Sequence, residues 1–197
     1  MLVVPSNVQG EVDDLIRRFG TPIVQPIALG TKTRWDRRAR MYEVCMVVRR
    51  PTGRLLTVTK TFYPPGLYRL LTGGVEPGER VLDALVREVD EETGLDVSIR
   101  RFLAIIAYDA EDVVDAPPQA FTFAFLLDER GGTLAARDAG ERLAAYSDVA
   151  PEDLPSLADQ LDRLPNEDAP ELDDNWREWG RFRAVVHRVV GDALVRG

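Results

Sequence analysis

Hydrophobic residues recur at helical spacing in three segments of the chain. Apolar positions repeat at steps of three and four over 10–19, 79–93 and 176–195, which predicts three amphipathic helices. A fourth helix is predicted over 151–164, because a proline stands at its first turn. Gly94 follows the second helix at the position where a glycine commonly ends one.

Short runs rich in Val, Thr, Ile and Phe predict strands between these helices. The predicted strands are 41–49, 54–61, 68–72, 97–108 and 121–127. The turn 50–53 contains a proline and a glycine, so it joins the first two strands as a hairpin. One domain that mixes short strands and helices in this way favours a layered α/β arrangement.

The charge balance narrows the class of partner. The 197 residues include 25 basic and 33 acidic side chains, which gives a net charge of −8. This balance argues against a protein that coats duplex nucleic acid, because such binding depends on neutralisation of phosphates by Lys and Arg. A small phosphorylated ligand stays compatible with it, since a divalent cation can offset the negative charge.

Cysteine use and hydropathy bear on the compartment. Cys45 is the single cysteine and cannot form an intrachain disulfide, which fits a reducing compartment. No run of about 18 apolar residues predicts a membrane span. The first residues also lack the basic start and the long apolar stretch of a signal peptide. We therefore expect a cytoplasmic protein that makes no contact with a membrane.

Three glutamates share one face of the predicted helix 79–93. Glu88, Glu91 and Glu92 fall at positions i, i+3 and i+4, where side chains on a helix are neighbours. Carboxylates this close repel one another unless a cation neutralises them, and Mg²⁺ or Mn²⁺ prefers oxygen ligands of this kind. Arg87, four residues before Glu91, is placed to orient a carboxylate.

A glycine-rich loop leads into this helix. Gly73 and Gly74 allow the backbone to approach a ligand closely, and Gly78 begins the turn before Glu79. A loop of this kind before a helix offers backbone N–H groups to an anion. A phosphate-binding loop beside a metal-binding helix face indicates metal-assisted chemistry on a phosphate ester or anhydride.

Loop and helix together resemble the Nudix box. Residues 73–79 read GGVEPGE, and after a further seven residues 87–95 read REVDEETGL. Every fixed position of the Nudix pattern is matched, namely Gly, five residues, Glu, seven residues, and then Arg-Glu-apolar-any-Glu-Glu-any-Gly-apolar. The resemblance covers 73–95 closely, and the order of strands around the box is also similar.

The resemblance implies a fold and a division of the chain. We expect an α/β fold, a Nudix-type α/β/α sandwich around a mixed β-sheet, with extra N-terminal and C-terminal helices. The expected division is 1–36 as an N-terminal extension with a short helix, 37–165 as the Nudix domain, and 166–197 as an acidic linker and C-terminal helix.

The resemblance also implies an activity. Nudix proteins mostly use Mg²⁺ or Mn²⁺ to hydrolyse a nucleoside diphosphate linked to another moiety, by attack of water on phosphorus. The implied site consists of the metal ligands Glu79, Glu88, Glu91 and Glu92, the catalytic residues Arg87, Glu91, Glu92 and Glu141, and the loop residues Gly73 and Gly74. Glu141 lies outside the box, where many relatives carry a late glutamate, and is a candidate base or ligand. The expected partner is a nucleoside diphosphate derivative or a related phosphoanhydride.

Two other functions stay open on the sequence. A Nudix domain can bind a nucleotide-like effector as a regulator without cleaving it, although the box has lost no glutamate here. Alternatively, the acidic helix is merely a solvated face of an interaction protein.

The apolar stripe of the helix 176–195 packs onto the domain or onto a second copy of the chain, so a homodimer is one expectation.

Several residues outside the box carry weaker signals. Lys60 and Arg69 lie on strands that lead towards the box and can face either a ligand or solvent. The Arg-rich segment 33–40 is interpreted as a solvated connector, with a contact to substrate phosphate as the alternative. We assign no catalytic role to His187, the single histidine, and we expect Cys45 to be a buried structural thiol.

Overall fold

A computed structural model describes residues 4–29, 41–110 and 120–196 of the chain. The Arg-rich segment 33–40 lies outside the described residues. The helices are α1 (Ser6–Phe19), α2 (Val81–Thr93), α3 (Leu154–Asp162) and α4 (Trp176–Val195). The strands are β1 (Ile23–Leu29), β2 (Tyr42–Arg49), β3 (Leu55–Lys60), β4 (Leu71–Gly74), β5 (Leu95–Ala110), β6 (Ala120–Gly132), β7 (Leu143–Val149), β8 (Asp168–Ala169) and β9 (Asp174–Asn175).

The first seven strands form one mixed sheet. Their order is β1-β5-β6-β2-β3-β7, and β4 pairs with β2 beside this path. The pairs β1–β5 and β2–β6 are parallel, whereas β5–β6, β2–β4 and β3–β7 are antiparallel. The predicted α/β class with a mixed sheet is therefore confirmed.

Strand β2 shows why helices cover both faces of the sheet. Val44, Met46 and Val48 belong to the core that α1 and α2 cover. Cys45 and Val47 belong to the core that α3 and α4 cover. Successive side chains of a strand point to opposite faces, so a strand buried on both faces needs a continuous apolar run. The sheet is the middle layer of the predicted α/β/α sandwich.

Two strands that the sequence analysis left out lie at the edges of the sheet. β1 pairs in parallel with β5, and β7 pairs with β3. Val24 is exposed in β1, and β7 is half-buried along most of its length. An edge strand is held by backbone hydrogen bonds, so its side chains need not alternate between apolar and polar.

Two of the predicted helices differ from the prediction at their N-terminal ends. α1 begins at Ser6 rather than at residue 10, and Val8 in its added turn is buried. The helix predicted over 151–164 is divided into the 3₁₀ turn Pro151–Asp153 and then α3. The helix predicted over 176–195 has the observed bounds of α4.

The acidic segment before α4 packs against the domain. β8 and β9 pair with each other across the 3₁₀ turn Pro170–Leu172, and Ala169 and Leu172 are buried. α4 approaches α3 closely at Gly180, where an added Cβ would lie 2.2 Å from the carbonyl oxygen of Leu161.

Among the residues that the structure describes, no helix combines the length and apolar character needed to cross a membrane.

Candidate active site

The glycine loop and helix α2 approach each other at Gly73. This residue lies opposite Val44 in the β4–β2 ladder. A Cβ atom at Gly73 would lie 2.0 Å from Cδ of Glu88 and 2.2 Å from its Oε2. The glycine is required here because its missing side chain is the space that the Glu88 carboxylate occupies.

The first turn of helix α2 is capped by a residue of α1. The side chain of Glu11 accepts hydrogen bonds from the backbone N–H groups of Val81 and Leu82, at 3.1 Å each. These N–H groups belong to the first turn of α2, where a helix has no partner of its own for them. At the other end, Gly94 takes the left-handed conformation and donates to the carbonyl of Asp90, as the sequence predicts for a glycine that ends a helix.

Arg87 binds three carboxylates of the box. Its guanidinium donates two hydrogen bonds of 2.8 Å to Glu79, one of 2.8 Å to Glu88 and one of 3.0 Å to Glu91. A fifth hydrogen bond of 2.9 Å reaches the carbonyl oxygen of Gly74. The planar fork of an arginine suits this arrangement, since each nitrogen donates in a fixed direction. Arg87 thereby fixes the glycine loop to the helix.

Two glutamates of α2 and one from a later turn converge beside this loop. Carboxylate oxygens of Glu88, Glu92 and Glu141 all lie within 4.8 Å of one another. Glu92 is completely buried, and neither of its carboxylate oxygens has a hydrogen-bond partner among the described residues. An unpartnered buried carboxylate is costly to maintain, so this group is suited to a ligand of opposite charge.

Burial sets the ionisation of this cluster. It raises the pKa of Glu92 to about 8, although the positive charges of Arg69 and Lys60 act in the opposite direction. Burial also raises the pKa of Glu88, while the hydrogen bond from Arg87 opposes the change. Neighbouring carboxyl groups with raised pKa values are typical of a functional site.

Glu141 reaches the cluster from the 3₁₀ turn Ala139–Glu141. Lys60 donates a hydrogen bond of 2.9 Å to its Oε2. In the next residue, the carbonyl oxygen of Arg142 accepts from the backbone N–H of Thr61 at 2.9 Å. The turn that carries Glu141 is therefore attached to the end of β3 by an ion pair and a backbone hydrogen bond.

The structure divides the glutamates of the box between two neighbours. It brings Glu88 and Glu92 together with Glu141, and it places Glu79 and Glu91 on Arg87, which also contacts Glu88. The metal and catalytic roles of these residues stay predictions at this point. Asp90, which the box does not specify, is exposed and forms an ion pair of 2.7 Å with Arg137.

A pocket of about 320 Å³ opens beside the glutamates. Glu88 and Glu141 line it together with the loop residues Gly73 and Gly74. Its other lining residues include Phe62, Tyr63 and Arg69 before the box, and Trp179, Phe182 and Arg183 on α4. The carboxylates thus share one pocket with aromatic and basic side chains.

Comparison with known proteins decides the family. The family model described as the NUDIX domain matches residues 39–173, more than half of the chain. The chain belongs to the Nudix family. The predicted Nudix-type fold is confirmed with it.

Three curated relatives illustrate the range of the match. The chain is 33% identical over 95 residues to the NAD-capped RNA hydrolase NudC of Vibrio atlanticus, covering 48% of this chain and 33% of that protein. It is 38% identical over 93 residues to the ADP-ribose pyrophosphatase of Methanocaldococcus jannaschii, covering 47% and 52%. It is 30% identical over 133 residues to the RNA pyrophosphohydrolase of Agrobacterium fabrum, covering 65% and 72%. The chain thus spans a third of the length of the Vibrio protein.

Helix α4 reaches the pocket through a buried ion pair. Arg183 donates a hydrogen bond of 2.8 Å to Oε2 of Glu43, and both residues are buried. Thr122 donates to Oε1 of the same carboxylate at 3.1 Å. The sequence carries one signal of this pair, since each residue is a charged position inside an otherwise apolar pattern, in β2 and in the stripe of α4.

Proposed function

We propose that this chain is a metal-dependent pyrophosphohydrolase of the Nudix type. Its substrate would be a nucleoside diphosphate linked to another moiety, and water would attack phosphorus in the diphosphate linkage. The observation that carries the proposal is the cluster of Glu88, Glu92 and Glu141, in which the buried Glu92 carboxylate has no protein partner among the described residues.

The side chains present fit a divalent cation. Three carboxylates within 4.8 Å of one another offer the oxygen ligands that Mg²⁺ or Mn²⁺ prefers. Glu88 and Glu92 would hold the cation, and Glu91 would join them through Oε1, because Arg87 contacts only its Oε2. Glu141 would lie beside the cation as the base. A cation bound there neutralises charge on the diphosphate and lowers the pKa of water.

The remaining box residues would orient these ligands. Arg87 would keep the carboxylates of Glu79, Glu88 and Glu91 in place, and Glu79 would serve as a further ligand only after release from Arg87. Gly73 and Gly74 would allow the diphosphate to approach the cluster. Glu141 would take the proton of the attacking water at Oε1, since Lys60 occupies Oε2.

The names of the relatives support a phosphoanhydride as the bond that this chain would hydrolyse. The names of three relatives describe hydrolysis of NAD-capped RNA, a pyrophosphatase for ADP-ribose and a pyrophosphohydrolase for RNA. Each supports a phosphoanhydride as the substrate of this chain. The predicted cytoplasmic location and the predicted homodimer stay predictions.

The test is turnover of a panel of diphosphates with and without Mg²⁺ or Mn²⁺. The panel contains NAD-capped RNA, ADP-ribose, nucleotide sugars, dinucleotides and nucleoside triphosphates. We expect metal-dependent hydrolysis of at least one compound, with kcat lowered by a factor of 100 or more in Glu92→Gln. Asp90→Asn is the matched control on the same helix, and its activity should equal that of the unmodified chain.

Two results would count against the proposal. Equal activity in Glu92→Gln, Glu88→Gln and the unmodified chain would remove the assignment of the metal site. Tight binding of a nucleotide without any turnover would instead support the alternative, a Nudix domain that binds an effector as a regulator.

A further inference from the structure

Four cationic side chains line the pocket, and two of them have a carboxylate partner. Lys60 is paired with Glu141 at 2.9 Å, and Arg183 is paired with Glu43 at 2.8 Å. Among the described residues, no carboxylate lies within ion-pair distance of Arg69 or Arg142, which are the other two. The pocket therefore offers two guanidinium groups that can still accept a direct contact from an anion.

Arg69 is the more unusual of the two because it is buried. Only 3% of the residue is exposed. Nε donates to the hydroxyl of Tyr63 at 2.8 Å, and Nη1 donates to the carbonyl of Leu70 at 2.7 Å and to Thr72 at 3.1 Å. Nη2 donates to none of the described residues.

A buried guanidinium that no carboxylate contacts is expensive, since burial removes its hydration and the charges of Glu92 and Glu43 act on it only from beyond ion-pair distance. The neutral partners of Arg69 satisfy its hydrogen bonds on one side and hold the group in place. They do not balance its charge. An anion that entered the pocket would supply both the charge and an acceptor for Nη2.

We propose that Arg69 is a substrate-binding residue that holds a phosphate group of the diphosphate, while the glutamate cluster holds the cation. This assignment rests on the proposed function. It makes Arg69 the residue that selects an anionic diphosphate over an uncharged nucleoside, because both kinds of molecule fit an aromatic pocket but only one provides a partner for the buried charge.

Arg142 extends the same positive surface to the rim of the pocket. Its guanidinium carbon lies 4.5 Å above the ring of Phe62, a cation–π contact that directs an exposed side chain along the pocket. The residue adjoins Glu141, so a phosphate bound between the two arginines would lie close to the proposed cation site. Arg142 is exposed and costs nothing to keep charged, so its contribution is the smaller of the two.

The experiment measures binding separately from turnover. Methylenediphosphonate is a diphosphate analogue that carries no nucleoside, and its affinity for the full chain is measured by calorimetry in the presence of Mg²⁺. We expect Arg69→Met to weaken binding at least tenfold and Arg142→Met to weaken it about threefold. The control Arg177→Met removes an exposed arginine of α4 that does not line the pocket, and its affinity should be unchanged.

A second measurement does not depend on a variant that folds. In the unmodified chain labelled with ¹⁵N-arginine, the Arg69 side-chain resonance should shift during titration with the diphosphonate, and adenosine should leave it unmoved. A stationary Arg69 resonance, or undiminished affinity in a folded Arg69→Met protein, overturns the assignment. Diphosphonate binding through Arg69 without hydrolysis of any panel compound would contradict the proposed function alone.

Discussion

A Cβ atom on Gly73 would lie 2.0 Å from Cδ of Glu88, well inside van der Waals contact. The Gly73→Ala substitution must therefore displace the carboxylate from the cluster. The carboxylate is the end of a flexible side chain, so the fold can survive by rotating it. We expect turnover to fall at least 100-fold while the melting temperature changes little, as measured by steady-state kinetics and thermal unfolding.

A matched alanine substitution isolates the contact. Gly10 lies within α1, and a Cβ built there meets nothing within 4 Å. Gly10→Ala should keep full activity and add up to about 1 kcal/mol of stability, because alanine is the better helix former. Full activity in Gly73→Ala would show that Glu88 does not need its observed position.

The N-terminal helix supports the helix of the box through Glu11. Its carboxylate accepts from the first-turn N–H groups of Val81 and Leu82, and it is only 12% exposed. We expect Glu11→Ala to lower the free energy of unfolding by about 1–2 kcal/mol, the cost of losing a cap and a charge at a helix N-terminus. Urea denaturation measures this change. Glu11→Gln, which keeps an acceptor oxygen, should lose less, and equal losses would argue against capping as the cause.

The helix of the box and α4 follow directly from the sequence because both depend on local signals. An apolar stripe, a glycine at position 94 and the glutamates at i, i+3 and i+4 all lie within one element, so their spacing alone indicates a helix and its acidic face. The match to the Nudix pattern has the same local character. It places most of the candidate site in one stretch of chain.

Contacts between distant residues could not be obtained in this way. Glu11 reaches α2 from 70 positions earlier, and Arg183 reaches Glu43 from 140 positions later. Each depends on how the elements pack, which no local pattern records. The edge strand β1 could not be predicted for a related reason. Its half-exposed side chains do not alternate between apolar and polar, and the strand is held by backbone pairing with β5.

Cation binding should depend on pH through Glu92. Burial raises the pKa of its carboxyl to about 8, so this group holds a proton at pH 7 in the metal-free protein. A cation must displace that proton, and its affinity therefore falls as the pH drops below 8, by up to tenfold per pH unit. Calorimetric titration with Mg²⁺ at pH 6, 7 and 8.5 measures the trend. In Glu92→Gln the remaining affinity should be weak and nearly independent of pH across the upper half of this range.

His187 should make the fold sensitive to acid. Its Nε2 accepts from the backbone N–H of Leu70 at 2.9 Å, so the proton lies on Nδ1, which donates to the carbonyl of Arg183 at 2.8 Å. The ring is therefore neutral, and burial lowers its pKa from 6.5 to about 4. Below pH 6.5 the imidazole takes up a proton in the unfolded chain but stays neutral in the folded chain. The contribution of His187 to the free energy of unfolding is therefore fully present above this pH and is lost as the pH falls towards 4.

The His187→Gln variant isolates this effect from the titration of other groups. Glutamine can still accept from Leu70 but cannot be protonated, so only the unmodified chain should lose stability through this position. We expect the difference in free energy of unfolding between the unmodified chain and the variant to decrease by about 2 kcal/mol between pH 7 and pH 5. Urea unfolding of both proteins at the two pH values measures the difference. A constant gap would mean that the ring takes up a proton as readily in the folded chain as in the unfolded chain, and that the hydrogen bond from Leu70 to Nε2 is not the one that holds α4 beside the pocket.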